Sequence, residues 1–65
     1  MAGDSTRERL LTAAVGVFAA NGYRDATVAG VCEAANANIA AVNYHFNSKE
    51  NLFRHVLREA FHSAN

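Results

Sequence analysis

Residues 28–46 read VAGVCEAANANIAAVNYHF, and the reading of this stretch decides the fold. Its second part, residues 35–46, contains seven Ala or Asn among twelve residues, no charge and no Gly, and closes on Tyr44, His45 and Phe46. The side chains are too small to make a core and too apolar to make a loop. The stretch divides at Asn36. Residues 28–35 read as a short helix with Thr27 in the N-cap position, weakened at Gly30 by about 1 kcal/mol relative to Ala. Asn36 breaks that helix, because Asn tolerates positive φ better than most residues. Asn38 then caps a third helix over about residues 39–46.

The spacing across these two helices is that of a helix-turn-helix. Small Cys32 lies four residues before the turn residue Asn36, where a second helix would cross the first. Val42 lies six after it and anchors the second helix. Val31, Ala35, Ala37 and Phe46 complete the inward set. With Val42 and Phe46 inward, Asn38, Ile39, Ala40, Asn43 and Tyr44 fall on or near the outer face. Such a face suits a DNA major groove. Small side chains permit close approach, Asn pairs with adenine through two hydrogen bonds, and Ala or Ile meets a thymine methyl. Tyr44, His45 and Lys49 fall where the helix leaves the groove and can meet phosphates, as can the amides opening the fourth helix. The same Ala-rich composition also suits filler in a small bundle, and periodicity alone leaves both readings open.

The flanking segments predict an all-α fold: a small bundle of three helices plus the start of a fourth. The first helix spans about residues 5–21, opened by a Ser5–Glu8 capping box, with Leu10, Leu11, Ala14, Val17 and Phe18 on one stripe. Gly22 in left-handed conformation closes it, and Tyr23 packs back on its last turn. The fourth helix runs from about residue 49 with Ser48 as its cap. Leu52, Phe53, Val56, Leu57, Ala60 and Phe61 give it an apolar face wide for so small a bundle. That face predicts an exposed patch and weak self-association. It also supports a second functional reading, a helical protein-interaction module.

At 65 residues the chain is one domain, with 51% hydrophobic and 18% charged residues, a globular composition. Six basic and six acidic residues give zero formal charge, so placement and not bulk charge must carry any nucleic-acid argument. The single Cys32 excludes an internal disulfide; it reads as a buried structural thiol in a reducing compartment. The opening MAGDSTRERL is too polar for a signal peptide, and LLTAAVGVFAA is too short and interrupted to span a bilayer, so no membrane partner is expected. His45, His55 and His62 lack the spacing of a metal set, and no cofactor is expected. No phosphate-cradling Gly loop and no nucleophile–base pair is present, so the chain is not read as an enzyme and has no catalytic residue. Lys49, in the first turn of a helix, is an unfavourable cation, which points to a phosphate role and away from a structural one.

From Arg7 to about Leu57, some four-fifths of the chain, these pieces together resemble the N-terminal DNA-binding domain of TetR-type transcriptional regulators. The matching segments are LLTAAVGVFAANGYRDATV, EAANANIAAVNYHF and SKENLF; NIAAVNYHFNSKENL is most similar to the CecR-like branch. The resemblance implies a homeodomain-like head that binds double-stranded DNA sequence-specifically as part of a repressor. It puts Asn38, Ile39, Ala40 and Asn43 toward bases, Thr27, Tyr44, His45 and Lys49 on phosphates, and Val42 and Phe46 in the core. It implies a palindromic operator, a homodimer in the full-length protein, a bacterial cytoplasmic location on the nucleoid, and a C-terminal ligand-binding and dimerisation domain missing from this 65-residue piece. The isolated head is expected to be monomeric or weakly associating.

The sequence departs from the family pattern in three places. Asn36 stands where Gly is usual, Asn43 where an aromatic is usual, and Ala29 and Gly30 where charged residues are common. The last departure predicts a weaker grip on the DNA backbone.

Overall fold

The computed structural model describes residues 5–64, with side chains described for residues 5–60. Four helices follow one another: α1 (Thr6–Asp25), α2 (Val28–Ala35), α3 (Ile39–His45) and α4 (Lys49–Ala64). The described residues contain no strand. α1 packs against the other three helices, and α2 packs on α3.

The core is one cluster drawn from every helix. Leu10, Leu11, Ala14 and Phe18 come from α1, Val31, Cys32 and Ala35 from α2, Val42 and Phe46 from α3 and its cap, and Leu52 and Val56 from α4. Phe46, Leu10, Leu52, Val31 and Val42 are its largest fully buried side chains. Burying each stabilises the fold by about 1.5–3 kcal/mol, so the short α3 is held by tertiary packing rather than by its own length. Val17 and Ala37, expected inside, are only partly buried against this cluster.

Local chemistry explains where the helices start and stop. Thr27 Oγ1 accepts from the Gly30 amide at 2.9 Å, Asn38 Oδ1 from the Ala41 amide at 3.1 Å, and Ser48 Oγ from the Asn51 amide at 3.1 Å. Each satisfies an amide that the helix leaves without a partner. α2 ends in a Schellman motif: Asn36 is left-handed (φ 56°, ψ 49°), its amide donates to the Glu33 carbonyl, and the Ala37 amide donates to the Cys32 carbonyl. Arg9 of α1 adds a bond from Nε to the Ala35 carbonyl at 3.3 Å.

Three expectations are corrected. Ser5 makes no side-chain cap, so the Ser5–Glu8 capping box does not form; its φ −107°, ψ 20° is not the extended backbone that aims a cap oxygen at the helix amides. Gly22 has positive φ (80°), but its ψ of 166° is extended and not left-handed helical. A further helical turn follows it, closed by the Ala26 amide on the Gly22 carbonyl at 3.0 Å, so the first helix kinks at Gly22 and ends at Asp25. Phe46 is the C-cap of α3 at φ −125°, ψ −19°, which shortens that helix by one residue.

On α4, Leu52 and Val56 are buried and Phe53 is half-buried, while Leu57 is 46% exposed and Ala60 is exposed. Phe61 and His62 lie outside the described side chains.

Candidate nucleic-acid interface

α3 is built to show one face. Val42 is fully buried and Phe46 is 1% exposed, which fixes the rotation of the helix about its axis. At roughly 100° per residue, Ala40 and Tyr44 then lie opposite Val42, Ile39 and Asn43 on one flank, Ala41 and His45 on the other. The exposures agree. Ile39 is 55% exposed and Tyr44 84%, Ala40 and Asn43 are exposed, and Ala41 and His45 are half-buried. No acidic residue occurs from residue 34 to residue 49, so α3 itself carries no charge that would repel phosphate.

The polar side chains differ in what they have left to offer. Asn38 Oδ1 is engaged by its cap, leaving its amide hydrogens. Asn43 makes no side-chain hydrogen bond among the described residues, so both ends of its carboxamide are available. Thr27 is exposed; its oxygen accepts from Gly30 and its hydroxyl hydrogen can still be donated. Tyr44 and His45 meet edge to face at 4.9 Å. Of the amides that open α4, that of Asn51 is taken by the Ser48 cap.

Lys49, read from sequence as a phosphate contact, also has a partner within the fold. It is half-buried, and its Nζ lies 4.4 Å from the centroid of the Tyr23 ring. A ring face attracts a cation by its quadrupole, which offsets the unfavourable helix dipole at this position. The expectation that points Lys49 away from a structural role is therefore modified: the ring contact gives it one, beside the phosphate role expected of it. Sequence reasoning also missed Asn51, whose Nδ2 donates to the Phe46 carbonyl at 2.7 Å and so joins the end of α3 to the start of α4. The signal available was its place three residues after the cap Ser48, where side chains reach back over the helix start. Cys32 is buried, and desolvation raises its thiol pKa above the ordinary range, keeping it protonated.

The family described as "Bacterial regulatory proteins, tetR family" matches residues 10–56. The chain is 37% identical over 62 residues to the HTH-type transcriptional repressor NicS of Pseudomonas putida, covering 95% of this chain and 29% of NicS. It is 41% identical over 55 residues to the HTH-type transcriptional repressor AcnR of Corynebacterium glutamicum, covering 85% of this chain and 29% of AcnR. A crystal structure of a HlyIIR mutant protein superposes with a TM-score of 0.82 at 34% identity, over 85% of this chain and 30% of that one. The chain thus spans under a third of the length of these relatives, of which NicS and AcnR are by name transcriptional repressors. No helix among the described residues is long and apolar enough to cross a membrane. The all-helical fold, the helix-turn-helix over α2 and α3 and the match across residues 10–56 agree: this chain belongs to the tetR family of bacterial regulatory proteins.

Proposed function

We propose that this chain is the head of a bacterial transcriptional repressor and binds double-stranded DNA sequence-specifically, with α3 in the major groove. The observation that carries this reading is the outward face of α3: Ile39, Ala40, Asn43 and Tyr44 exposed over a buried Val42 and Phe46. A slim helix with one Asn free at both ends of its amide can reach base edges and read them. In this reading Asn38, Ile39, Ala40 and Asn43 face bases; Asn38 contributes through its Nδ2 hydrogens alone. Thr27, Tyr44, His45 and Lys49 hold phosphates and set the register.

We extend this to a homodimer in the whole protein, with two heads on a palindromic operator about one helical turn apart or a multiple of it. Its place is the bacterial cytoplasm, on the nucleoid. A single head lacks the linkage of two half-sites, and its own affinity is low.

A proton–nitrogen NMR titration with a short mixed-sequence duplex, at low and moderate salt, tests the reading. Salt-sensitive shifts are expected at Thr27 and residues 38–49. Shifts confined to residues 53–61 when a protein partner is added, with none at α3 on adding DNA even at low salt, would overturn it. The exposed Leu57 and Ala60 would then favour the second reading, a protein-interaction face on α4.

A further inference from the structure

Lys49 and Tyr23 come from different helices, and their contact is built from the sequence outward. Gly22 holds φ 80° and ψ 166°, a region open essentially to Gly alone. The kink takes Tyr23 off the regular path of α1. Its ring then lies parallel to Phe18 at 5.9 Å and tilted against Phe53 of α4 at 4.8 Å, while Phe18 and Phe53 meet edge to face at 5.0 Å. Tyr23 is thus seated by two aromatic side chains that touch the core. The ammonium of Lys49 stands over its ring at 4.4 Å. The neighbouring acid Glu50 lies toward Arg54, at 3.6 Å, and makes no ion pair with Lys49 among the described residues.

A lysine on a free four-carbon stem loses rotamer freedom whenever it binds a phosphate. A ring that already holds the ammonium removes part of that loss in advance. The ring engages one side of the ammonium, and the group has three N–H donors, so donors remain for a phosphate oxygen. We propose that Tyr23 is a positioning residue for DNA binding: its ring face pre-sets the Lys49 ammonium at the mouth of α4. The inference rests on the proposed phosphate role of Lys49 and deepens it.

The test is a fluorescence titration of the chain with a mixed-sequence duplex across a salt series, using Tyr23→Phe, Tyr23→Leu, Lys49→Ala and the double variant. Phosphate binding by Lys49 is blind to sequence, so no operator is needed. Lys49→Ala is expected to lower the salt slope by about one unit. Tyr23→Phe keeps the ring and is expected to bind as the unsubstituted chain does. Tyr23→Leu is expected to weaken binding about three- to tenfold, and to add no further loss in the Lys49→Ala background. A second readout needs no substitution and no DNA: the Lys49 ε-methylene protons should show an upfield ring-current shift in the free chain.

Three outcomes would overturn the inference alone: full binding by Tyr23→Leu beside a weakened Lys49→Ala, equal losses for Tyr23→Phe and Tyr23→Leu, or the absence of the ring-current shift. An unchanged salt slope in Lys49→Ala would instead remove the phosphate role on which it rests.

Discussion

The side-chain amide of Asn51 donates to the Phe46 carbonyl at 2.7 Å, tying the first turn of α4 to the end of α3. The same residue gives its backbone amide to Ser48 Oγ at 3.1 Å and accepts from His55 Nδ1 at 2.9 Å on its carbonyl. Because a carbonyl only accepts, His55 is protonated at Nδ1 in this contact. The His55 ring also meets the edge of Phe46 at 5.1 Å, and the Arg7 guanidinium lies 5.3 Å from the Phe46 centroid. The anchor of α3 is therefore gripped from α1 and α4 together. Asn51→Ala leaves a partly buried carbonyl without its donor and should cost about 1–2 kcal/mol in denaturant unfolding. Amide exchange should quicken at Asn47, whose N–H donates to the Val42 carbonyl at 2.9 Å, more than at Val31 in the core. Equal stability and unchanged exchange would mean that the bond contributes nothing.

Asn36 supplies the left-handed residue of the turn at φ 56°. Gly adopts that conformation freely but adds entropy to the unfolded chain, so Asn36→Gly should change stability by less than about 1 kcal/mol. Asn36→Val places a β-branched side chain where it clashes and should cost about 1–2 kcal/mol. For a domain of this size that is a fall of about 4–16 °C in thermal midpoint. A Val variant that melts with the Gly variant would show that the turn can rearrange.

Much of this architecture was legible because it rests on chemistry local in sequence. Thr27, Asn38 and Ser48 each precede a helix and each uses its oxygen within three residues. That Cys32 and Val42 both join the core on either side of a left-handed Asn36 follows from spacing. What was not legible depends on contacts between helices or on fine backbone angles. Nothing in NGY distinguishes a left-handed helical Gly22 from the extended positive-φ form observed. Ser5 has the right residue type and lacks the backbone angles. Lys49 was judged by its own helix, and the ring that receives it is 26 residues away. Asn51 was legible only in its position three residues after Ser48; its partner, a main-chain carbonyl, is marked by no side-chain pattern.

Two glycines in helices separate backbone cost from space. A Cβ on Gly16 would meet nothing within 4 Å, so Gly16→Ala should stabilise α1 by about 0.5–1 kcal/mol. A Cβ on Gly30 would lie 3.1 Å from Thr27 Oγ1, the oxygen that caps α2 through the Gly30 amide at 2.9 Å. The cap must give way by a few tenths of an ångström, so Gly30→Ala should gain less than Gly16→Ala or lose stability. Thermal unfolding of the two variants side by side decides it, and an equal gain at both sites would show that the cap yields without cost.

Asn38 and Asn43 are the two amide side chains on the face of α3, and they should fail differently. Adenine is read by an Asn that donates to N7 and accepts from N6, which needs both ends of the carboxamide. Asn38 has its oxygen committed to the Ala41 amide at 3.1 Å, and Asn43 has no such commitment among the described residues. Asn43→Ala should therefore cost about 1–3 kcal/mol at one base position and relax the preference there, with the fold unchanged. Asn38→Ala should lose its cap, destabilise the chain by about 1 kcal/mol and weaken binding to all sequences, with only a small added loss of preference where its Nδ2 hydrogens meet a base acceptor. Selection from a duplex pool with each position randomised, run beside urea unfolding, separates the two. If the base preference of the Asn43 variant stays intact, Asn43 does not read a base. If only the Asn38 variant shifts preference at one position, the cap opens on binding and Asn38 is the reader.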